Sequence, residues 1–222
     1  MTINGDIQNF KEVLANTDFT VNGYIDVESL DVRGSASLAL LGGADIREIS
    51  LETEGDVTIN SDETCHLGSP LKMKGKTASL GGHIKVNGPF VANNVVLLDH
   101  VTLDTNNAPF QVAGDISQKD QECNFSLTTK ESAIEIGGTV HLHNFNCQTE
   151  QNQTFVKEVI VNQFKTTSPS IAFTDDIIVK ETINCQKFHI EGVGKEAFFG
   201  KGGQFSGEAR FYNTGGITLG TV

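Results

Sequence analysis

Tryptophan is absent from this chain and tyrosine occurs only at positions 24 and 212, so the flat stacking residues common in sugar and nucleobase sites are missing. Fourteen phenylalanines supply nearly all the aromatic surface, which points to a Phe-filled core. Positive charge is also scarce. Arg33, Arg47 and Arg210 are the only arginines, and 16 Lys+Arg stand against 28 Asp+Glu for a net charge of −12. Such a surface repels phosphate backbones and anionic headgroups, so neither nucleic acid nor membrane insertion is expected. The four cysteines, Cys65, Cys123, Cys147 and Cys185, form no C-x-x-C pair and have none of the density of a secreted disulfide framework; they read as reduced thiols. No run approaches the ~18 apolar residues of a membrane span, and Met1–Asp6 carries neither a basic region nor an apolar core of a Sec leader. Those absences lead to the expectation of a protein that is cytoplasmic or exported by a non-Sec route.

What is present is repetition. Thr2-Ile3-Asn4-Gly5-Asp6-Ile7 returns as Thr20-Val21-Asn22-Gly23-Tyr24-Ile25, and in weaker form as Lys85-Val86-Asn87-Gly88-Pro89-Phe90. A broader pattern, glycine followed by two alternating apolar residues, recurs at Gly23, Gly34, Gly55, Gly82, Gly138 and Gly207. Alternation over four or five residues makes a short strand with one apolar face, and the glycine before it permits a sharp bend. Further short alternating pieces, such as Val95-Leu97, Val159-Val161, Ile177-Val179 and Ile217-Leu219, lie between them. Sandwich strands are usually longer and joined by clear hairpins, whereas these pieces are short and bounded by single glycines or polar residues.

The sequence therefore predicts a mostly β, single-domain parallel β-helix (β-solenoid) over residues 1–222, with roughly eight or nine coils and a length of about 40 Å at ~4.8 Å per coil. Residues 1–19 are expected to cap the rod, because Ile7, Phe10, Val13 and Leu14 fall on one face of a short helix over 6–16 with Asp6 at its start. Coils then fill 20–222, with polar loops near 117–132 and 147–156 and a wide bend between Gly192 and Gly207.

The wording Val21-Asn22-Gly23-Tyr24-Ile25 and Val32-Arg33-Gly34-Ser35-Ala36 resembles the bactofilins, the bacterial cytoskeletal β-solenoids, over about residues 20–145. That resemblance implies a solenoid and filament formation. The six-residue step of hexapeptide acyltransferases fails, since Val21, Val27, Val32 and Leu38 drift in spacing.

No constellation points clearly to catalysis. His141 and His143 share a strand face near Cys147, and His83 and His100 are placed to stack on neighbouring coils, but a third metal ligand at suitable spacing is not visible. Asp99 with Asp104, and Asp175-Asp176 with Lys180 nearby, are the acidic clusters a calcium-dependent polysaccharide lyase would need. The glycine runs Gly192-Val193-Gly194-Lys195 and Gly200-Lys201-Gly202-Gly203 lack the phosphate-loop spacing. No catalytic, cofactor-binding or metal residue is assigned and no cofactor is expected. The sequence reads as a structural or interaction protein, self-associating through a terminal coil at Ile217 and Leu219 unless Phe198-Phe199 covers that edge. A small β-helix carbohydrate-active enzyme and an adhesin or effector binding module are the alternatives. Clustered Asp and Lys in a groove would favour the enzyme.

Overall fold

In the computed structural model the chain is a parallel β-solenoid of about ten turns, longer than the eight or nine expected. At the solenoid rise per turn that gives a rod of about 50 Å. The structure describes residues 1–222 except 74–76, 150–153, 167–170, 174–176, 186–187, 195, 201–202 and 221–222. Among the described residues there are 23 strands and no helix, and every strand pairing is parallel. Paired residues lie 17 to 24 positions apart, from Ser79 against Val96 to Ser117 against His141.

Each turn lays down three short β segments, one on each face of the rod. The second turn shows the plan: Phe19–Val21 lies on the first face, and Ile25–Gly34 bends at Glu28 to supply the second and third. Within each segment every second side chain points inward, and that pattern repeats turn upon turn. On the first face Val21, Leu40, Ile59, Leu80 and Leu97 stack in register, all with no exposure. On the second, Ile25, Ala44, Cys65, Ile84, Leu103, Leu127 and Cys147 form one column. Burying such columns is what offsets the entropy of fixing so many separate strands.

The aromatic supply goes where the sequence composition suggested, but unevenly. Phe90 stacks on Phe110 at 5.1 Å on the third face, Phe125 on Phe145 at 5.7 Å on the second, and Phe110 meets Phe125 across the core at 5.9 Å. Phe145 continues to Phe164 at 5.6 Å.

Two devices turn the corners. Side chains of one turn accept backbone N–H bonds from the next: Asp6 from Tyr24 (2.8 Å), Asp18 from Ser37 (2.9 Å), Asn94 from Asp115 (3.0 Å) and Asp115 from Thr139 (2.8 Å). Buried threonines supply the second device. Thr129 donates to the Ser132 carbonyl (2.6 Å), Thr149 to those of Lys130 and Ser132 (2.9 Å each), and Thr53 to that of Ala36. At Gly42 a side chain would run into the Gly23 backbone of the turn below, so glycine there is a packing requirement.

The expected N-terminal helix is not formed. Ile7–Ala15 is a strand paired in parallel with Ile25–Gly34, Ile7 against Ile25 and Val13 against Leu30. Ile7, Phe10, Val13 and Leu14 fit a helical face, yet the next turn offers a ready edge whose pairing satisfies the backbone all along that segment. Asn9, with φ of 62°, absorbs an extra residue at the register shift between Gln8 and Phe10. Phe10 and Leu14 are left 58% and 52% exposed, so residues 1–19 are a first turn and not a helical cap.

The expected loops are also shorter than read. Within 117–132, Ile116–Gln118 and Asn124–Lys130 are strands, leaving a short excursion around Lys119–Glu122. Within 147–156, the strands Ile134–Thr149 and Thr154–Thr166 reach in from both sides, and 150–153 lie outside the described residues. The wide bend placed at Gly192–Gly207 is an ordinary turn containing the strands Glu196–Phe199 and Gly203–Phe205. Polar residues mislead here because every second residue of a solenoid strand faces solvent.

Candidate interaction surfaces

Outward side chains stack in columns just as inward ones do, so each face of the rod has its own chemistry. On the second face the outward column runs Asp26, Asp45, His66, Lys85, Asp104 and Thr128. Beside it, Arg47 pairs with Glu28 at 3.1 Å, and Asn106 donates its side-chain amide to the Asn87 side-chain oxygen at 2.8 Å. Asp45, Arg47, His66, Lys85, Asp104 and Asn106 line an open groove of about 530 Å³. Along it His66 and Lys85 occupy consecutive rungs between Asp45 and Asp104, and Asp104 also accepts the Asn106 N–H at 2.8 Å. The groove can offer both hydrogen-bond donors and acceptors to a polyhydroxylated ligand, but it has no aromatic platform.

The first face differs from it. Its outward column runs Thr2, Thr20, Ala39, Thr58, Ser79 and Val96 through the first half of the rod. It continues through Ser117, His141, Ile160, Ile178, Phe198 and Thr218 in the second. No Asp, Glu, Lys or Arg occurs in it, although the chain carries 44 such residues, 16 basic and 28 acidic. Most members are half-buried by their neighbours in the column.

His141 points outward while Val140 and Leu142 are buried, as the alternation required. The His143 Nδ1 lies 3.3 Å from a Glu122 carboxylate oxygen and 2.9 Å from the Asn162 side-chain nitrogen, with Cys147 buried in a different column. His83 and His100 do not stack: His83 is in register with Thr102, and the His100 Nδ1 accepts the Asn124 N–H at 3.1 Å. Asp99 is exposed at a corner and accepts the His100 N–H at 2.6 Å, away from Asp104 on the second face. Asp175-Asp176 lie outside the described residues, as does the side chain of Lys180. Among the described residues no three His, Cys, Asp or Glu side chains gather as a metal site, and no helix is long and apolar enough to cross a membrane.

Cys65, Cys123 and Cys147 are free and buried, while the side chain of Cys185 lies outside the described residues. Burial pushes the Cys65 thiol up to about 11 and the Cys147 thiol up to about 12, and raises Cys123 as well, with Asp99 adding to it. All three are thiols at neutral pH, the opposite of what a nucleophile needs.

The terminal turn leaves core positions open. Ile217 and Leu219 stand in register with Ala197 and Phe199, which are each 1% exposed, yet are themselves 44% and 71% exposed. Phe198-Phe199 does not cover the edge: it belongs to the rung beneath, with Phe199 in the core and Phe198 facing out. Among the described residues no strand pairs with the other edge of Gly216–Leu219.

Compared with known proteins, the chain matches no family model, no curated protein and no solved structure. The surfaces themselves therefore carry the functional argument. Sequence reading missed the groove and the uncharged column because their members are about 20 residues apart; the recurrence of Thr2 and Thr20 at 18 was the one visible trace of that register.

Proposed function

We propose that this chain is a structural or interaction protein whose rigid β-solenoid presents extended surfaces and which associates with further copies end to end through its terminal turn. The observation that carries this reading is the exposure of Ile217 and Leu219 at positions that are core in the turn below. An open strand edge with two apolar side chains in inward register is a template for another strand. Phe10, in register with buried Val27, offers comparable apolar surface at the opposite end. The likeness to bactofilins favours the same reading, since it implies filaments. A protein partner suits the charge of −12 better than nucleic acid or an anionic membrane. Light scattering over a concentration series tests it: mass should grow with concentration, and Ile217→Lys or Leu219→Lys should stop that growth. A mass that does not depend on concentration and is unchanged by Ile217→Lys would end the reading.

A second reading rests on the second-face groove, where Asp45, Lys85 and Asp104 sit with His66 as a carbohydrate-active β-helix would need them. Titration with neutral and uronate oligosaccharides, read by calorimetry, decides it. Binding lost in Lys85→Ala and Asp104→Asn supports a glycan site, and heat indistinguishable from buffer removes it. An adhesin or effector module would use the same surfaces for binding without turnover.

A further inference from the structure

We propose that the uncharged column of the first face is a lateral dimer interface, and that its occupant is a second copy of this chain lying parallel to the first, with the two-fold axis along the rod. This goes beyond the end-to-end reading and uses a different surface.

Three observations choose that occupant. The first is charge. Two chains of net charge −12 can approach closely only where charge is absent, and this column has none over its whole length while the outward columns of the other faces carry Asp, Glu, Lys and Arg. The second is area. A strip about 50 Å long and about 15 Å wide covers roughly 700 Å² per copy, near the ~800 Å² per partner of a standard interface.

The third is complementarity, and it fixes the orientation. The residue two places before each column member borders the strip on one side, and the residue two places after borders it on the other. The entry side carries Asp18, Asp56 and Asp115, whereas the exit side at those same rungs carries Asn22, Asn60 and Lys119. A two-fold axis along the rod brings entry side against exit side at equal height. Asp115 of each copy then faces Lys119 of the other, and Asp18 and Asp56 face amides. The antiparallel arrangement would set acids against acids. In the parallel dimer Ile160, Ile178 and Phe198 also meet their own counterparts, so the apolar part of the strip covers itself, and Thr20 and Thr58 meet theirs at the flat, small-residue end.

The test uses the full chain carrying Ile217→Lys, so that end-to-end growth does not obscure the result. Light scattering should give twice 23.9 kDa at micromolar concentration. Ile178→Lys and Thr58→Asp should each return the mass to one chain with the thermal midpoint of folding retained, since both side chains point outward. Lys119→Asp should weaken the dimer at least tenfold, whereas Lys119→Arg, which keeps the positive charge opposite Asp115 and leaves the Asp115 corner bond to Thr139 intact, should retain it. For orientation, Ser117→Cys, Thr20→Cys and Phe198→Cys treated with diamide should each cross-link to its own kind, the diamide taking the two thiol hydrogens as the disulfide forms. Monomer mass at all concentrations, a dimer untouched by Ile178→Lys, or cross-linking of Thr20→Cys only to Phe198→Cys would overturn the proposal. Failure of the dimer leaves the terminal-turn reading standing, because Ile217→Lys tests that one separately.

Discussion

The two halves of the rod solve the same packing problem with different side chains. Up to residue 89 the core is mostly aliphatic: Leu, Ile, Val and Ala fill the columns together with Cys65 and Met73, and Phe19 is the one buried phenylalanine. From Phe90 onward twelve of the fourteen phenylalanines appear. One column on the second face shows the change directly, passing from Ser61 and Gly82 through Val101 to Phe125, Phe145 and Phe164. Stacking spacing along the rod is fixed by backbone hydrogen bonds, so only the cross-section is free to vary, and side-chain volume sets it. A solenoid can widen gradually without breaking register, provided each rung differs little from its neighbours.

That contrast can be tested, beginning where the largest effect is expected. Ile59→Asp puts an unpaired carboxylate between Leu40 and Leu80 and should cost about 4 kcal/mol or more, enough to prevent folding of the aliphatic half. Chemical denaturation would show it; a shift under about 1 kcal/mol would mean the inward face has been misassigned. Phe145→Ala removes a ring held between Phe125 and Phe164 and should cost about 3 to 5 kcal/mol by the same measurement, more than Val57→Ala in the narrower half. Equal losses would show that the phenylalanines add bulk without tighter packing.

A smaller effect is expected from pH. The unfolded thiol ionises near 9.0, whereas burial holds Cys147 protonated up to about 12. As pH rises above 9 the unfolded chain releases this proton first, so stability should fall across that window and be level below it. Denaturation midpoints from pH 8 to 11 should decline for the natural chain and decline less for Cys147→Ala. The smallest change belongs to Phe10→Ser, which should move stability by no more than about 0.5 kcal/mol because the side chain is mostly exposed on the first turn. A large loss there would revive a packed cap at that end.

Period-two alternation behind bend glycines was enough to read the architecture, and residues such as Val57 with Ile59 and Val140 with Leu142 are buried as that alternation required. The first turn was misread because Ile7, Phe10, Val13 and Leu14 satisfy helical spacing as well as a bulged strand, and only the edge of the next turn decides between them. The corner threonines were illegible for a different reason. Thr53, Thr129 and Thr149 look like surface residues until the chain reversal beside each is known, since what they satisfy is a carbonyl at the bend. Surface columns such as Asp45, His66 and Lys85 need the register of several turns at once, and no local window contains it.

The four Asp and Asn corner hydrogen bonds described above run one way. In Asp6 to Tyr24, Asp18 to Ser37, Asn94 to Asp115 and Asp115 to Thr139, the acceptor belongs to the earlier turn and the donor to the later one. A chain emerging from its N-terminus therefore finds those four corners already offering a carboxylate or amide oxygen to the turn about to land on them. Partners about 20 residues apart in a chain of 222 give a relative contact order of about 0.09, within the range of helical bundles and well below that of most all-β folds. Assembly can then proceed as a zipper during synthesis, each finished turn serving as the template for the next, with little need to hold distant segments together before they pair.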